Sequence, residues 1–478
     1  MESKETTIKP LTKFENANNN IFDEINTLEN KEISRKSRYF IFFFLLFINL
    51  IIAIDQGTLS SSTTEVQIYY NLNSYFLGLL GSFIFLGTSF GCLTSFILIN
   101  KMNRKIFLII MILMDSLSLF IFLNTKNNFI LLITRFFAGF CQSFLSVYTP
   151  VWSDQYGIYN QKALLMSLIH LGSPIGNLFG YFFGKIISWQ LTFYIQIFFL
   201  IIQGISVFFI KDIFFSNSLF STKGINNNSN IEENEDKNSV FTNIKDLNDN
   251  NNITNNLISE TKILLSSKLF VIFNIALIII FIIVSALQFW INDYMENVLL
   301  INTKYNLTIF LFVMLSGPSL GIFAGGLIGN KIGGYQNINA LYFVFYSSII
   351  GEISSIIYPL TSNIILFVIF FWIYLFIGSA ILPMINGIII CSVDKKYGGS
   401  ANAASTFLYN VCGRFIGPFL YGIFREFFGK NSKLPMTILL NFTILPLILF
   451  YFAIKIGEKE NYGKIIQDKN EIYVDEKN

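Results

Sequence analysis

The sequence predicts an all-α polytopic membrane protein, with twelve transmembrane helices arranged as two six-helix bundles. Three observations predict it. Apolar runs repeatedly reach the ~20 residues that a bilayer core requires. The 478-residue chain is 53% hydrophobic and only 13% charged, whereas a soluble chain carries about a quarter charged residues. A polar, aperiodic stretch over residues 211–267 divides the runs into two sets of similar size.

Taken in order, residues 1–37 are hydrophilic and mixed in charge, with no apolar core of the kind a cleaved signal peptide needs. Lys31, Arg35, Lys36 and Arg38 flank the first apolar run, which by the positive-inside rule holds the N-terminus in the cytosol. The N-terminal bundle takes residues 38–210, with spans near 38–60, 75–99, 105–124, 129–152, 163–187 and 190–210. Residues 211–267 follow, including Gly224-Ile-Asn-Asn-Asn-Ser-Asn and an Asn-rich run from Asn248. So little apolar surface does not offset the entropy of ordering, so a disordered cytosolic linker is expected there. The C-terminal bundle takes residues 268–455, with spans near 268–291, 306–330, 338–358, 363–391, 400–424 and 435–455. Residues 456–478 form the second tail. An even number of crossings puts both termini and the linker in the cytosol, and the Lys and Arg excess in those segments has the sense the rule requires.

Composition excludes several classes of function. A formal charge of +3 gives nucleic acid nothing to bind. Cys92, Cys141, Cys391 and Cys412 sit in or beside apolar runs without a CxxC pair, so they read as packing residues rather than a disulfide or zinc framework. With one histidine, no metal site is expected. No paired nucleophile or phosphate-binding loop points to an enzyme or a cofactor. Ser60-Ser-Ser-Thr-Thr reads as an exterior loop.

The two halves repeat each other. Gly87, Gly91, Asn100 and Lys101 recur at identical spacing as Gly317, Gly321, Asn330 and Lys331. Gly172 and Gly176 recur as Gly413 and Gly417. Glycines four apart let membrane helices approach closely, and duplicated six-helix halves are common among secondary transporters. Pro150, Pro174, Pro318, Pro383 and Pro418 fall in spans or at their ends, where kinks serve a rocking motion. Twelve spans in two such halves resemble the major facilitator superfamily.

An ionisable side chain at the bilayer centre costs several kcal/mol, so each one needs a reason. Asp55, Asp115, Arg135, His170, Glu352 and Arg414 all fall inside apolar runs. Asp55 lies about 17 residues into the first span and Arg135 about seven into the fourth, which at ~1.5 Å per residue gives comparable depth. They are expected to meet as a salt bridge across a central cavity, with Gln142 two turns beyond Arg135 on the same face. Two readings of the pair stay open: a gate or substrate pair in which Asp55 carries a coupling proton, or a structural pair that never exchanges one. Asp115 has no partner that spacing identifies. His170 titrates near neutrality, so it and Asp115 are further proton candidates, although a lone histidine on a span more often packs. Glu352 and Arg414 are the second-half counterparts, at unlike depths.

Further motifs resemble spinster-type lysolipid and sphingolipid carriers. Asn49-Leu-Ile-Ile-Ala-Ile-Asp55-Gln56 is similar to that family's N-L-L-N-Y-M-D-R. Gly78-Leu79-Leu80, Arg135-Phe-Phe-Ala-Gly139-Phe-Cys-Gln142-Ser143, Thr149-Pro150-Val-Trp-Ser-Asp154 and Pro174-Ile-Gly176-Asn-Leu-Phe-Gly180-Tyr181 follow in the family's order, and Ala286-Leu-Gln-Phe-Trp290 opens the second half. The resemblance implies roles in coupling and gating for Asp55 and Arg135. Two family charges are neutral here: the arginine after the first acid is Gln56, and the acid beside the fourth-span arginine is Gln142. The loop Asn100-Lys101-Met102-Asn103-Arg104-Lys105 stands where the superfamily has D-R-x-G-R-K. Asparagine replaces the bracing acid at both Asn100 and Asn330, so a weaker inner latch is expected, unless Lys101, Arg104 and Lys105 serve only to anchor anionic lipid. The P-E-S-P-R and P-E-T-K-G signatures of sugar porters are absent.

The reading is a secondary active or facilitative carrier working by alternating access, monomeric, with protons as a coupling partner. Its expected cargo is a lysophospholipid or similar single-chain amphiphile. The second reading is a small polar metabolite and the third a non-transporting scaffold or receptor. Neither tail carries a readable address, leaving the plasma membrane and a lysosome- or vacuole-like membrane open.

Overall fold

The computed structural model describes residues 35–98, 103–156, 162–215, 260–394, 397–460 and 462. Among these residues all regular structure is helical. The N-terminal half comprises α1 (Arg35–Ser61), α2 (Thr63–Tyr70), α3 (Ser74–Leu98), α4 (Arg104–Asn124), α5 (Asn128–Tyr156), α6 (Lys162–Ile186) and α7 (Trp189–Phe209). The C-terminal half comprises α8 (Lys268–Asp293), α9 (Thr303–Lys331), α10 (Asn339–Leu360), α11 (Ile364–Cys391), α12 (Gly398–Leu408), α13 (Ile416–Phe428) and α14 (Leu434–Lys459). Two wide π turns, Tyr294–Val298 after α8 and Tyr409–Arg414 between α12 and α13, interrupt the second half.

Among the described residues, ten helices are long and apolar enough to cross a membrane. The expected fifth and eleventh crossings coincide with α6 and with α12–α13 but fall outside those ten, the latter because the π turn splits it into 11- and 13-residue pieces. Short polar residues set where many helices begin. The side chains of Asn103, Ser188, Ser267, Asn302 and Asn363 each accept from backbone N–H groups of the first turn that would otherwise lack a partner. Large apolar side chains such as Phe198, Phe209 and Phe312 remain exposed around the outside, a surface that lipid covers.

Backbone contacts at glycine show the internal repeat in three dimensions. A Cβ on Gly87 would lie 1.9 Å from the Phe136 carbonyl oxygen, and one on Gly91 2.5 Å from that of Phe140, so α3 and α5 touch backbone to backbone. In the second half Gly321 and Gly325 bring α9 onto α11 in the same way, whereas Gly317 is looser. Gly176 and Gly180 seat α6 on α1 at the Leu50 and Ile54 carbonyls, and Gly417 seats α13 on the Ile282 carbonyl of α8. Pro174 and Pro318 lie inside α6 and α9.

Two stretches differ from expectation. Ser60 to Thr64 is not a loop: the helix continues through Ser61 and restarts as α2, and Ser60 to Thr63 are buried. Ser61 donates to the Thr58 carbonyl within the helix, whereas Ser60 donates to the Gln288 carbonyl of the other half. The first residues assigned to the linker pack against the bundle, with Phe214 and Phe215 buried and the Trp152 indole donating to the Phe214 carbonyl at 3.1 Å. Residues 216–259 lie outside the described residues.

Candidate functional site

Three features carry the polar chemistry of the interior. The first lies within the N-terminal bundle. Asp55 of α1 and Arg135 of α5 form a 2.7 Å salt bridge, with the side chains 0% and 1% exposed. Gln142 donates to the other Asp55 oxygen at 3.3 Å, and the guanidinium lies 5.6 Å from the centre of the Phe122 ring. The pair thus meets inside one bundle rather than across an open cavity. Gln56, next to Asp55, is partly exposed.

Asp115 belongs to the same cluster. Ser118, one turn away on α4, donates to the Thr134 carbonyl at 2.6 Å, which fixes that face of α4 against α5 beside Arg135. Asp115 is 1% exposed and feels the charges of Asp55 and Arg135 and the amide of Gln142, yet neither oxygen accepts a well-formed hydrogen bond. Two carboxyl groups therefore lie within electrostatic reach of one guanidinium, which bonds Asp55.

The second feature joins the halves. Asp293 at the end of α8 and Arg425 of α13 form a 2.7 Å salt bridge, 1% and 3% exposed. Arg425 also donates to Ser74 at 2.8 Å and Gln67 at 3.4 Å in the N-terminal half, and stacks over Trp290. Asn292 donates to the Ser61 carbonyl at 2.8 Å and accepts from Tyr181 and Asn306. Tyr181 stacks on Phe310. Ser60 donates to the Gln288 carbonyl, and at the rim Lys185 pairs with Glu296 at 2.8 Å. Further in, Ser82 accepts from the Phe419 N–H, and Gly78 and Gly81 rest against Pro418 and Phe289.

Along α3 these contacts between the halves run from Ser74 to Phe85, eleven residues or ~16 Å of rise, about half a hydrocarbon core.

The third feature ends the seam. Arg414 closes the π turn and is partly exposed, its guanidinium 4.7 Å from the Phe281 ring centre, 5.6 Å from Tyr409 and 5.8 Å from Phe85 across the seam. Glu352 of α10 is not its partner: Thr443 of α14 donates to Glu352 and also bonds Ser355. The charged pair of the second half is Asp293–Arg425, which sequence reasoning missed. The usable signal was Asn292-Asp293 followed one turn later by Glu296, where an apolar run ends.

The loop motif is partly in view. Asn100 and Lys101 lie outside the described residues, as do the side chains of Asn330 and His170. Arg104 is buried, Lys331 is exposed, and Lys105 bonds Asp212 at 2.8 Å and the Ile210 carbonyl at 2.5 Å, tying the start of α4 to the end of α7.

Two helical halves, each knit by backbone contact between its helices, thus meet along a polar seam. Residues 45–418 match the Major Facilitator Superfamily, and the chain belongs to that superfamily; it is a transporter, not an enzyme. No curated protein matches it in sequence. Among solved structures it is similar to a bacterial homolog of the human lysosomal transporter Spinster in an inward-facing, unoccupied conformation (TM-score 0.70, 11% identity, covering 88% of this chain and 98% of that one). It is also similar to the nucleoside transporter NupG (0.63, 11%, 87% and 99%) and to a D-xylose-proton symporter (0.62, 12%, 86% and 96%). At these identities the likeness is one of fold.

Proposed function

We propose that this chain is an alternating-access carrier that moves a lysophospholipid or similar single-chain amphiphile, coupled through Asp55 to a proton that the Asp55–Asp115–Arg135 cluster holds. The observation that carries the reading is the polar seam between Ser74 and Phe85. Halves latched by buried ion pairs and hydrogen bonds over this half of their depth match a carrier with one mouth shut. In the topology favoured by the flanking charges, both tails and the linker are cytosolic, the chain crosses twelve times, and the shut mouth faces away from the cytosol. The inward-facing state of the similar Spinster homolog supports this orientation. The order of motifs around Asp55, Arg135 and Gln142 supports the amphiphilic cargo.

Charge balance supports coupling at the buried cluster. Asp55, Asp115 and Arg135 sum to −1 when all are ionised and to zero with one proton bound. A neutral cluster is far less costly in hydrocarbon than a charged one. Gln56 and Gln142, neutral where the family carries charges, leave Asp55 the acid bonded to the guanidinium.

The test uses the full chain reconstituted in liposomes and offered fluorescent lysophospholipids, nucleosides, sugars and amino acids, with and without a pH gradient. The gradient is expected to accelerate lysophospholipid uptake by the parent and not by Asp55→Asn. Equal gradient dependence in both would remove Asp55 as the coupling site. Uptake of polar solutes alone would overturn the cargo assignment.

A further inference from the structure

We propose that Arg414 is the anion-binding point of the cargo site, and that it receives the oxyanion headgroup, phosphate or carboxylate, of a single-chain amphiphile. The proposal rests on the carrier reading above and narrows its cargo to anionic headgroups.

The three interior arginines differ in one respect. Arg135 and Arg425 each have an aspartate at 2.7 Å. Arg414 has no carboxylate within salt-bridge distance and no hydrogen-bond acceptor among the described residues; its close neighbours are the faces of Phe281, Tyr409 and Phe85. Aromatic faces return only part of the hydration a guanidinium loses on leaving water. An arginine in the middle of a span is therefore expected to meet an anion at some point in the protein's cycle.

Its position suits a ligand. The π turn Tyr409–Arg414 breaks the helical repeat where Arg414 emerges, and such turns cluster at functional sites. Arg414 meets Phe85 across the seam, farther along α3 than Ser74 and Ser82. The guanidinium is partly exposed and its fork of donors is free among the described residues for bidentate oxyanion contact. Phe85 belongs to one half and Arg414 to the other, so an anion bound here lies beside both halves.

The experiment measures binding to the purified full-length chain in detergent micelles. The probes are lysophosphatidate, a fatty acid, the monoacylglycerol of the same chain length and inorganic phosphate, against the parent, Arg414→Gln and Arg414→Lys. The parent is expected to bind lysophosphatidate about tenfold or more tightly than the neutral monoacylglycerol, the scale of one charge-assisted bond. Arg414→Gln loses that preference while still binding monoacylglycerol, and Arg414→Lys retains part of it. Retained monoacylglycerol binding shows that the variant is folded. Equal binding of charged and neutral amphiphiles by the parent, or an unchanged preference in Arg414→Gln, overturns the proposal. Inorganic phosphate bound as tightly as lysophosphatidate would make this a site for a soluble anion and overturn the lipid assignment. A protein that binds with this preference but shows no flux refutes the carrier reading and leaves the anion site standing. Flux without the preference does the reverse.

Discussion

The shared guanidinium predicts a particular pattern of non-additivity. Asp55→Asn removes the 2.7 Å partner of an arginine that is 1% exposed. Breaking a buried pair from one side ordinarily costs ~3–5 kcal/mol, because the remaining charge is stranded. Here Asp115 lies within electrostatic reach of Arg135 and accepts no well-formed hydrogen bond, so it takes over the guanidinium and the single variant loses only ~1–2 kcal/mol. Asp115→Asn replaces an unpartnered acid with a neutral group and is expected to change stability by less than ~1 kcal/mol. The double variant leaves Arg135 with Gln142 and the Phe122 face alone and loses the full ~3–5 kcal/mol. The interaction energy between the two positions is then about 2 kcal/mol. Equilibrium unfolding in mixed detergent micelles, followed by tryptophan fluorescence, reads all four corners of the cycle. Effects that add to within ~0.5 kcal/mol would refute the shared-charge argument.

Other expectations concern the seam and the helix contacts. Arg425→Ala strands Asp293 and removes the bonds to Ser74 and Gln67; a loss of ~3–5 kcal/mol should open the shut mouth. A reporter Ser82→Cys would then react with a thiol reagent at least tenfold faster, and an unchanged rate would contradict the latch. Lys185→Gln removes the rim pairs with Glu296 and Glu65, worth ~1 kcal/mol. The same reporter should respond less to 1 M salt in this variant than in the parent. Gly180→Leu places a Cβ 2.0 Å from the Ile54 carbonyl oxygen and should abolish folded yield by size-exclusion chromatography. Gly326→Ala meets nothing within 4 Å and should be neutral or stabilising by up to ~1 kcal/mol in the unfolding assay.

How far these features were legible depends on the kind of information each needs. Asp55 and Arg135 were paired from depth alone, because residue count fixes height in a membrane to within about a turn. Height does not fix the direction a side chain faces around its helix, so Asp115 looked unpartnered and the pair was set across a cavity instead of inside a bundle. Glu352 and Arg414 attracted notice because both sit mid-span, yet Thr443 satisfies one and three aromatic rings surround the other. Asp293 and Arg425 escaped because charges at span ends are ordinarily hydrated, and only the folded seam dehydrates them. The glycine periods did carry through: Gly87, Gly91, Gly321 and Gly417 each abut a backbone carbonyl of the facing helix. Gly317 occupies the matching position without the matching contact.

The close approach of Gly78 to the Pro418 carbonyl oxygen, 2.5 Å from where a Cβ would be, makes that point a fulcrum. Each half is stiffened by its glycine ladders, so motion there behaves as a lever rather than as bending. Leu98 lies twenty residues further along α3, ~30 Å away, and a tilt of about ten degrees would swing it ~5 Å, roughly the width of one acyl chain. A slight slip at the fulcrum therefore suffices to part the far ends by the thickness of a lipid tail.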